Sequence, residues 1–320
     1  MSWWPLIKVL PVQTHFKFVR LAVIFGVLSV VLVIASLVGT VYPGLNRGID
    51  FKGGTVLELS TPAALNLSLV RGTLDGLKLG DVQVQNFASA DDPQGVRHVS
   101  VRFQTPNDSD PATTVTRVKH ALDAALGKVS YSRTDVVGPK VSGELFRNGL
   151  LALGVAIVLM LVYIWFRFEL QFGLGAVAAL FHDVILTFGV IVLLRMEFDL
   201  KLIAAILTVI GYSMNDTVVV FDRLRENLRK YKKMELRDVI DLSINETLTR
   251  TVITGFTALL ALSGLAFFGG DALRDFSIVL MFGIAVGTYS SIYIASPIVL
   301  MWGLKRGEDA EIIKPVAMRP

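Results

Sequence analysis

Three ionisable residues stand where an apolar chain should exclude them. Asp216 lies in GYSMNDTVVVFDRLREN (211–227), with Asn215 beside it, the run LIAAILTVI before it and four apolar side chains close behind. Asp183 sits in HDVILT (182–187), inside a second apolar run, and Arg250 opens a third. Few chemistries suit such a set. No nucleophile, base and orienter occur at a workable spacing, and neither a GxxxxGK[ST] loop nor an HExxH pair is present, so hydrolysis, nucleotide use and zinc chemistry lack residues to carry them. The chain has no cysteine, which removes disulfides and thiolate metal sites. His182 is a lone histidine in an apolar run, better suited to packing or hydrogen bonding than to ligating a metal. Two acids and one arginine at such positions suggest a proton relay. Desolvation favours the neutral form of a carboxyl, so a buried acid with a cation near it can load and release a proton.

The elements that must position these residues are membrane helices. The chain has 320 residues, 53% of them hydrophobic and 18% charged, against about a quarter charged in soluble domains. A net charge of +4 is no argument for nucleic acid. Six segments reach the roughly 20 apolar residues that span a bilayer: 21–42, 149–166, 172–194, 202–221, 252–268 and 276–304. The first is too long for a signal-peptide core and no AxA-like site follows it, so it reads as an uncleaved span. Lys8, Lys17 and Arg20 precede span one, Arg167 separates spans two and three, and Arg223, Arg225, Arg229, Lys230, Lys232, Lys233, Arg237 and Arg250 separate spans four and five. Lys305, Arg306, Lys314 and Arg319 follow span six, whereas the opposite short loops hold only Arg195, Lys201 and Arg274. The positive-inside rule puts both termini in the cytoplasm. The expected division is a cytoplasmic segment 1–20, span one at 21–43, an outer domain at 44–147, spans two to six within 148–304 with a cytoplasmic amphipathic segment at 222–250, and a cytoplasmic tail 305–320.

The outer segment reads as a folded domain. GTVLELS, VQVQNF, RHVSVRF and VSYSRTDVV alternate as strands do. LSLVRGTLDGLKL has helical spacing, with Leu69, Leu74 and Leu77 near one face, and ATTVTRVKHALDAAL is a second helix. ASADDPQG (88–95) supplies a turn. The order is βαββαβ, a ferredoxin-like α+β domain.

Asp216 lies six positions before Asp222, roughly 9 Å along a helix at about 1.5 Å per residue. That depth is inside the hydrocarbon but near its cytoplasmic edge, where a lone carboxylate costs about 2.5–3.5 kcal/mol. It must therefore face the bundle and find a partner. The blander alternative is that it caps or hydrogen-bonds a neighbouring helix. Arg250 at the same depth and Asp183 nearer mid-bilayer favour a relay. Elsewhere, Gly283 and Gly287 have the GxxxG spacing of close helix packing, and RKYKK (229–233) suits anionic membrane lipid. ELRDVIDLSINETL is amphipathic, with Leu236, Ile240 and Ile244 in line, and either lies along the interface or docks on a partner. Trp3 and Trp4 suit an interfacial anchor.

Six motifs then stand in one register: GIDFKGGT (48–55), VGPKVSGEL (137–145), HDVILT, NDTVVVFDRLREN (215–227), SINETLTRT (243–251) and GTYSSIYIASP (287–297). Together, over nearly the whole chain, they resemble the SecF branch of the SecD/SecF family in the RND superfamily. The resemblance implies an α-helical polytopic inner-membrane protein with six transmembrane helices, one half of an RND-type assembly, and a periplasmic domain between helices one and two. It implies Asp216 as the proton-carrying acid and Arg250 as its basic partner, with Asn215 in the same motif. Gly48, Asp50, Gly53 and Gly54 form the junction between span one and the outer domain, where glycines permit tight turns. The implied partners are SecD, SecYEG, YajC and a translocating preprotein, with protons as the coupling ion and no cofactor or enzymatic activity. A proton-coupled exporter of small molecules or lipids from the same superfamily, and a non-transporting scaffold subunit, are the competing readings.

Overall fold

The computed structural model describes residues 14–61, 67–77, 79, 82–87, 97–104, 110–127 and 129–302. Trp3, Trp4, Lys8, the 88–95 turn and the tail cations Lys305, Arg306, Lys314 and Arg319 lie outside the described residues. The described residues fall into two units. One is an α/β unit within Asn46–Ala152 that also takes in Glu197–Leu200, and the other is helical.

In the α/β unit, strands β1 (Asn46–Arg47), β2 (Gly54–Thr61), β3 (Val82–Phe87), β4 (Arg97–Phe103) and β5 (Ser130–Val137) alternate with helices α2 (Ile49–Lys52), α3 (Leu67–Asp75) and α4 (Pro111–Leu126). Four strands make an antiparallel sheet in the order β3-β4-β2-β5, the ferredoxin-like topology read from the alternating pattern. Period-two patterning sends one face of each strand inward. Leu57 pairs with Val101 and Leu59 with Val99, and all four are fully buried against Val70, Leu74, Val115, Val118 and Leu122 of the two helices. The expected face of α3 needs one correction. Val70 and Leu74, one turn apart, point into the core, whereas Leu69 is 46% exposed, because one residue back along a helix turns the side chain by about 100°. Asp110 caps α4, accepting from the Thr113 backbone N–H at 3.0 Å, and this bond holds its carboxyl below the usual carboxylate range.

Among the described residues six helices are long and apolar enough to cross a membrane. They are α1 (Phe18–Gly39, continued by a π turn), α5 (Pro139–Arg167), α6 (Leu170–Leu193), α7 (Leu200–Lys230), α8 (Leu236–Phe268), and α9 (Asp271–Ser290), which runs through a π segment (Ser291–Ala295) into α10 (Ser296–Trp302). The two-residue strand β6 (Glu197–Phe198) precedes α7 and pairs in parallel with β1. The most apolar stretches of α6, α7 and α9–α10 are 50–56% buried within the chain, those of α1, α5 and α8 only 6–17%. The first three are the inner helices of the bundle.

Segment 222–250 is helical almost throughout. It contains no glycine or proline, so α7 runs on to Lys230 and α8 already begins at Leu236, with a short turn between. Leu236, Ile240 and Ile244 are buried as their spacing requires. The segment docks on the chain's own α1. Asp241 Oδ1 accepts from the Val19 N–H at 2.9 Å, Asn245 Oδ1 accepts from the Phe16 N–H at 2.9 Å, and Asn245 Nδ2 donates to the Phe16 carbonyl at 2.8 Å. The Asp241 bond satisfies an orphan donor in the first turn of α1, and the Asn245 pair holds Phe16 just ahead of that helix. Asn227, also buried, donates to Ser243 Oγ at 3.0 Å and Glu246 Oε2 at 2.6 Å, and so ties α7 to α8.

Three substitutions test this packing. Leu122→Ala should destabilise the chain by about 2–5 kcal/mol, while Leu69→Ala should stay within about 0.5 kcal/mol, read by denaturant unfolding of the purified chain in detergent. Gly283→Ala, whose new methyl would collide with Val209, should cost about 1–3 kcal/mol by forcing α9 off α7; an unchanged melting temperature would contradict that contact.

Candidate functional site

The inner helices α6, α7 and α9 bring their polar residues to one layer, and glycine makes the approach possible. A Cβ at Gly287 would lie 2.8 Å from Ser213 Cβ, and one at Gly283 would meet Val209, so α9 lies closer to α7 than side chains permit. A Cβ at Gly175 would come within 2.6 Å of the Ala295 carbonyl, which brings the π segment equally close to α6. Thr288 and Ser290 of α9 thereby come within hydrogen-bond reach of carboxyls on the other two helices.

Asp183 is 1% exposed and fully engaged. Ser290 Oγ donates to its Oδ2 at 2.7 Å and Ser213 Oγ donates to the same oxygen, while His182 Nδ1 lies 2.8 Å from Oδ1. Three groups on α6, α7 and α9 thus converge on one carboxyl. The sequence reading of His182 as a hydrogen-bonding residue matches this arrangement. Its ring also stacks on Tyr289 at 6.0 Å, whose hydroxyl reaches Ser29 and the Phe25 carbonyl of α1, both at 2.7 Å.

Asp216, one turn beyond Ser213 on α7, is 2% exposed but among the described residues has a single direct partner, the Thr288 hydroxyl donating to Oδ2 at 3.0 Å. Arg250 on α8 acts on it electrostatically, without a side-chain hydrogen bond between them. Tyr212 also feels its charge. The hydroxyls of Tyr212 and Thr217, near Asp216 on α7, are buried with no hydrogen-bond partner among the described residues. A carboxylate offers about four acceptor positions, so Asp216 is as sparsely held as Asp183 is densely held. Arg250 itself is exposed, fourteen residues into α8 rather than at its start, and Asn215 is exposed on the outer side of α7. The two acids share one layer, Arg250 reaches it by its field, and Asn215 does not enter it.

Ser213, Thr288 and Ser290 went unassigned in the sequence. Their signal was the hydroxyl-rich GTYSSIYIAS in an apolar span and a serine one turn from a buried acid. Next to the layer, Ser296 Oγ donates to the Ser291 carbonyl at 2.8 Å, spanning the π segment that precedes Pro297. A proline lacks the N–H that an α-helix would use there, and π segments recur at functional sites.

The junction residues lie in the α/β unit. Gly48 N–H donates to the Phe198 carbonyl at 2.9 Å, and a Cβ there would be 3.3 Å from that of Asp199. Asp50 Oδ2 accepts from the Leu200 N–H, the first residue of α7, at 3.2 Å. Gly53 and Gly54 have φ of 72° and 133°, and a Cβ on Gly54 would sit 2.8 Å from the Phe103 carbonyl, so both positions require glycine. Arg102 pairs with Glu197 beside them.

Comparison with known proteins agrees with this architecture. Residues 117–305 match the family described as protein export membrane protein SecD/SecF, C-terminal, and residues 43–61 match the SecD/SecF GG motif. The protein translocase subunit SecF of Cereibacter sphaeroides is 46% identical over 306 residues, 94% of each chain. That of Rhodobacter capsulatus is 45% identical, covering 95% of this chain and 93% of its own. Among solved structures, SecDF from Thermus thermophilus, a translocon-associated membrane protein, superposes with a TM-score of 0.79 at 33% identity. SecDF in a super-membrane-facing form gives 0.66 at 34%. This chain covers 92% and 91% of itself in those matches but 39% of either SecDF chain. On near-full-length identity to SecF subunits and a matching fold, the chain belongs to the SecD/SecF family of protein export membrane proteins.

Proposed function

We propose that this chain couples inward proton movement to preprotein translocation, with Asp216 as the group that gains and loses the proton. The observation that carries the reading is the contrast within one buried layer. Asp183 is surrounded by donors, whereas Asp216 keeps one hydrogen bond and a cation acting from a distance. An acid so placed can exist in either protonation state, with Arg250 favouring the anion. Protonating Asp216 removes the charge on which Arg250 acts, and the α7–α8 and α7–α9 contacts can then settle in a second packing. Release of the proton restores the first. Each proton crossing inward brings about 2.3 kcal/mol per 100 mV of membrane potential, enough to bias a bundle whose two packings differ by a few kcal/mol.

In this reading both termini face the cytoplasm and the α/β domain lies outside, as the distribution of Lys and Arg in the short loops supports. The chain forms half of an assembly whose other half is SecD. It works beside SecYEG and YajC on the emerging preprotein, with no cofactor or catalysis of its own. The α/β domain, tied through β1 and β6 to the residues that enter α7, is the part that would move the preprotein.

The test is preprotein export into inverted vesicles containing this chain, SecD and SecYEG, with ATP constant and the proton gradient imposed or collapsed. Asp216→Asn should reduce export to the collapsed-gradient level while leaving the ATP-dependent part intact. Asp183→Asn should instead lower the amount of folded chain, since it unbalances a fully bonded buried cluster. Wild-type, gradient-stimulated export by Asp216→Asn would overturn the proposal.

A further inference from the structure

Where α5 ends, its last residue and the far end of α7 enclose an open cleft of about 500 Å³ lined by Arg167, Asp222, Arg225, Glu226, Arg229 and Lys230. Four cationic side chains face two carboxylates there, and the carboxylates are already engaged. Asp222 takes both its bonds from Arg167 Nη2 at 2.5 Å, and Glu226 is held from outside the cleft by Arg223 at 2.6 Å. Among the described residues Arg225 pairs only with the exposed Glu169, at 3.8 Å. Lys230 lies over the Tyr231 ring at 5.0 Å. Among the described residues Arg229 makes no side-chain hydrogen bond or ion pair, and it is exposed. Arg225 and Arg229 are four residues apart on one helix, which stacks their guanidinium groups about one turn apart on the same face. Each guanidinium is a planar forked donor of the kind that pairs with phosphate oxygens.

The surroundings identify the carrier of that phosphate. The residues just before Arg167 are Trp165 and Phe166, 76% and 84% exposed, at the end of an apolar helix whose outer face carries Val155, Val158, Leu159 and Val162. Exposed aromatics closing an apolar span mark the headgroup level of a bilayer, and basic pockets between helix ends at that level bind anionic headgroups. We propose that this cleft is a binding site for an anionic phospholipid, with Arg225 and Arg229 gripping the phosphodiester and the acyl chains lying along the exposed face of α5. The site is independent of the proton-coupling layer.

The experiment is native mass spectrometry of the full purified chain, titrated with phosphatidylglycerol, phosphatidylcholine or inorganic phosphate. Phosphatidylglycerol should be retained over phosphatidylcholine, and Arg225→Gln with Arg229→Gln should weaken that retention roughly five-fold for each arginine removed. Lys17→Gln with Arg20→Gln, which removes equal charge at exposed positions outside the cleft, should leave it unchanged. Arg229→Gln alone, at an exposed position, provides the reading if the double variant does not fold. Equal losses in the cleft variant and the Lys17/Arg20 variant would reduce the effect to general surface charge and overturn the site. Competition by inorganic phosphate as effective as by lipid would overturn the lipid as its ligand, as would a wild-type chain with no preference between the two lipids.

Discussion

A carboxyl inside an apolar helix bundle must find donors or give up its charge, and this constraint organises the helical unit. The penalty for burying a bare carboxylate is several kcal/mol even after relaxation, more than a single helix–helix contact supplies. The chain meets it by bringing three helices so close that hydroxyls on two of them reach an acid on the third. Gly283 and Gly287 remove the side chains that would hold α9 away, and Gly175 does the same between α6 and the π segment. Ser213 and Ser290 then converge on Asp183. Close packing and polar satisfaction are here one device, since the glycines have no use for hydroxyls and the hydroxyls cannot reach without the glycines.

Within that arrangement the two acids serve different ends. Asp183, bonded from α6, α7 and α9, fixes the register of the inner helices. Asp216 rides on α7, with Thr288 as its one direct partner among the described residues. The rest of the unit keeps α7 and α8 in place at the far end, where Asn227, Ser243, Glu246 and Arg223 interlock and Asp241 and Asn245 hold the start of α1. The ends of the helices are therefore pinned while the middle of α7 holds an acid with little direct support, which is where a change of charge can act on the packing.

Much of this was readable from residue patterns, and the remainder was not for definable reasons. Hydropathy placed six spans because about 20 apolar residues in sequence have few alternatives, and period-two alternation gave the βαββαβ order. The helix ends were missed because charge, not a helix breaker, marks residues 222–250; hydropathy ends where a span leaves the bilayer, whereas the helix ends only where its backbone does. Leu69 is exposed where the sequence spacing predicts a core face, because Gly72 and Gly76 blur the helical period around Val70 and Leu74. The hydroxyl partners were invisible for a subtler reason. Thr208, Thr254 and Ser263 bond the carbonyl four residues back in their own helices, the default for Ser and Thr in apolar helices. The hydroxyl-rich run and the nearby acid mark Ser213 and Ser290 as candidates, but nothing local says which carboxyl either would reach. Only the three-dimensional closeness set by the glycines makes the difference.

The central claim is that Asp216, and not Asp183, changes protonation when the bundle is driven. Difference infrared spectroscopy of the chain assembled with SecD in proteoliposomes tests it directly, by following the carboxylic-acid C=O stretch as a proton gradient is imposed. A gradient-dependent band that vanishes in Asp216→Asn and survives in Asp183→Asn is the predicted result. A band that persists in Asp216→Asn would place the mobile proton elsewhere and contradict the account.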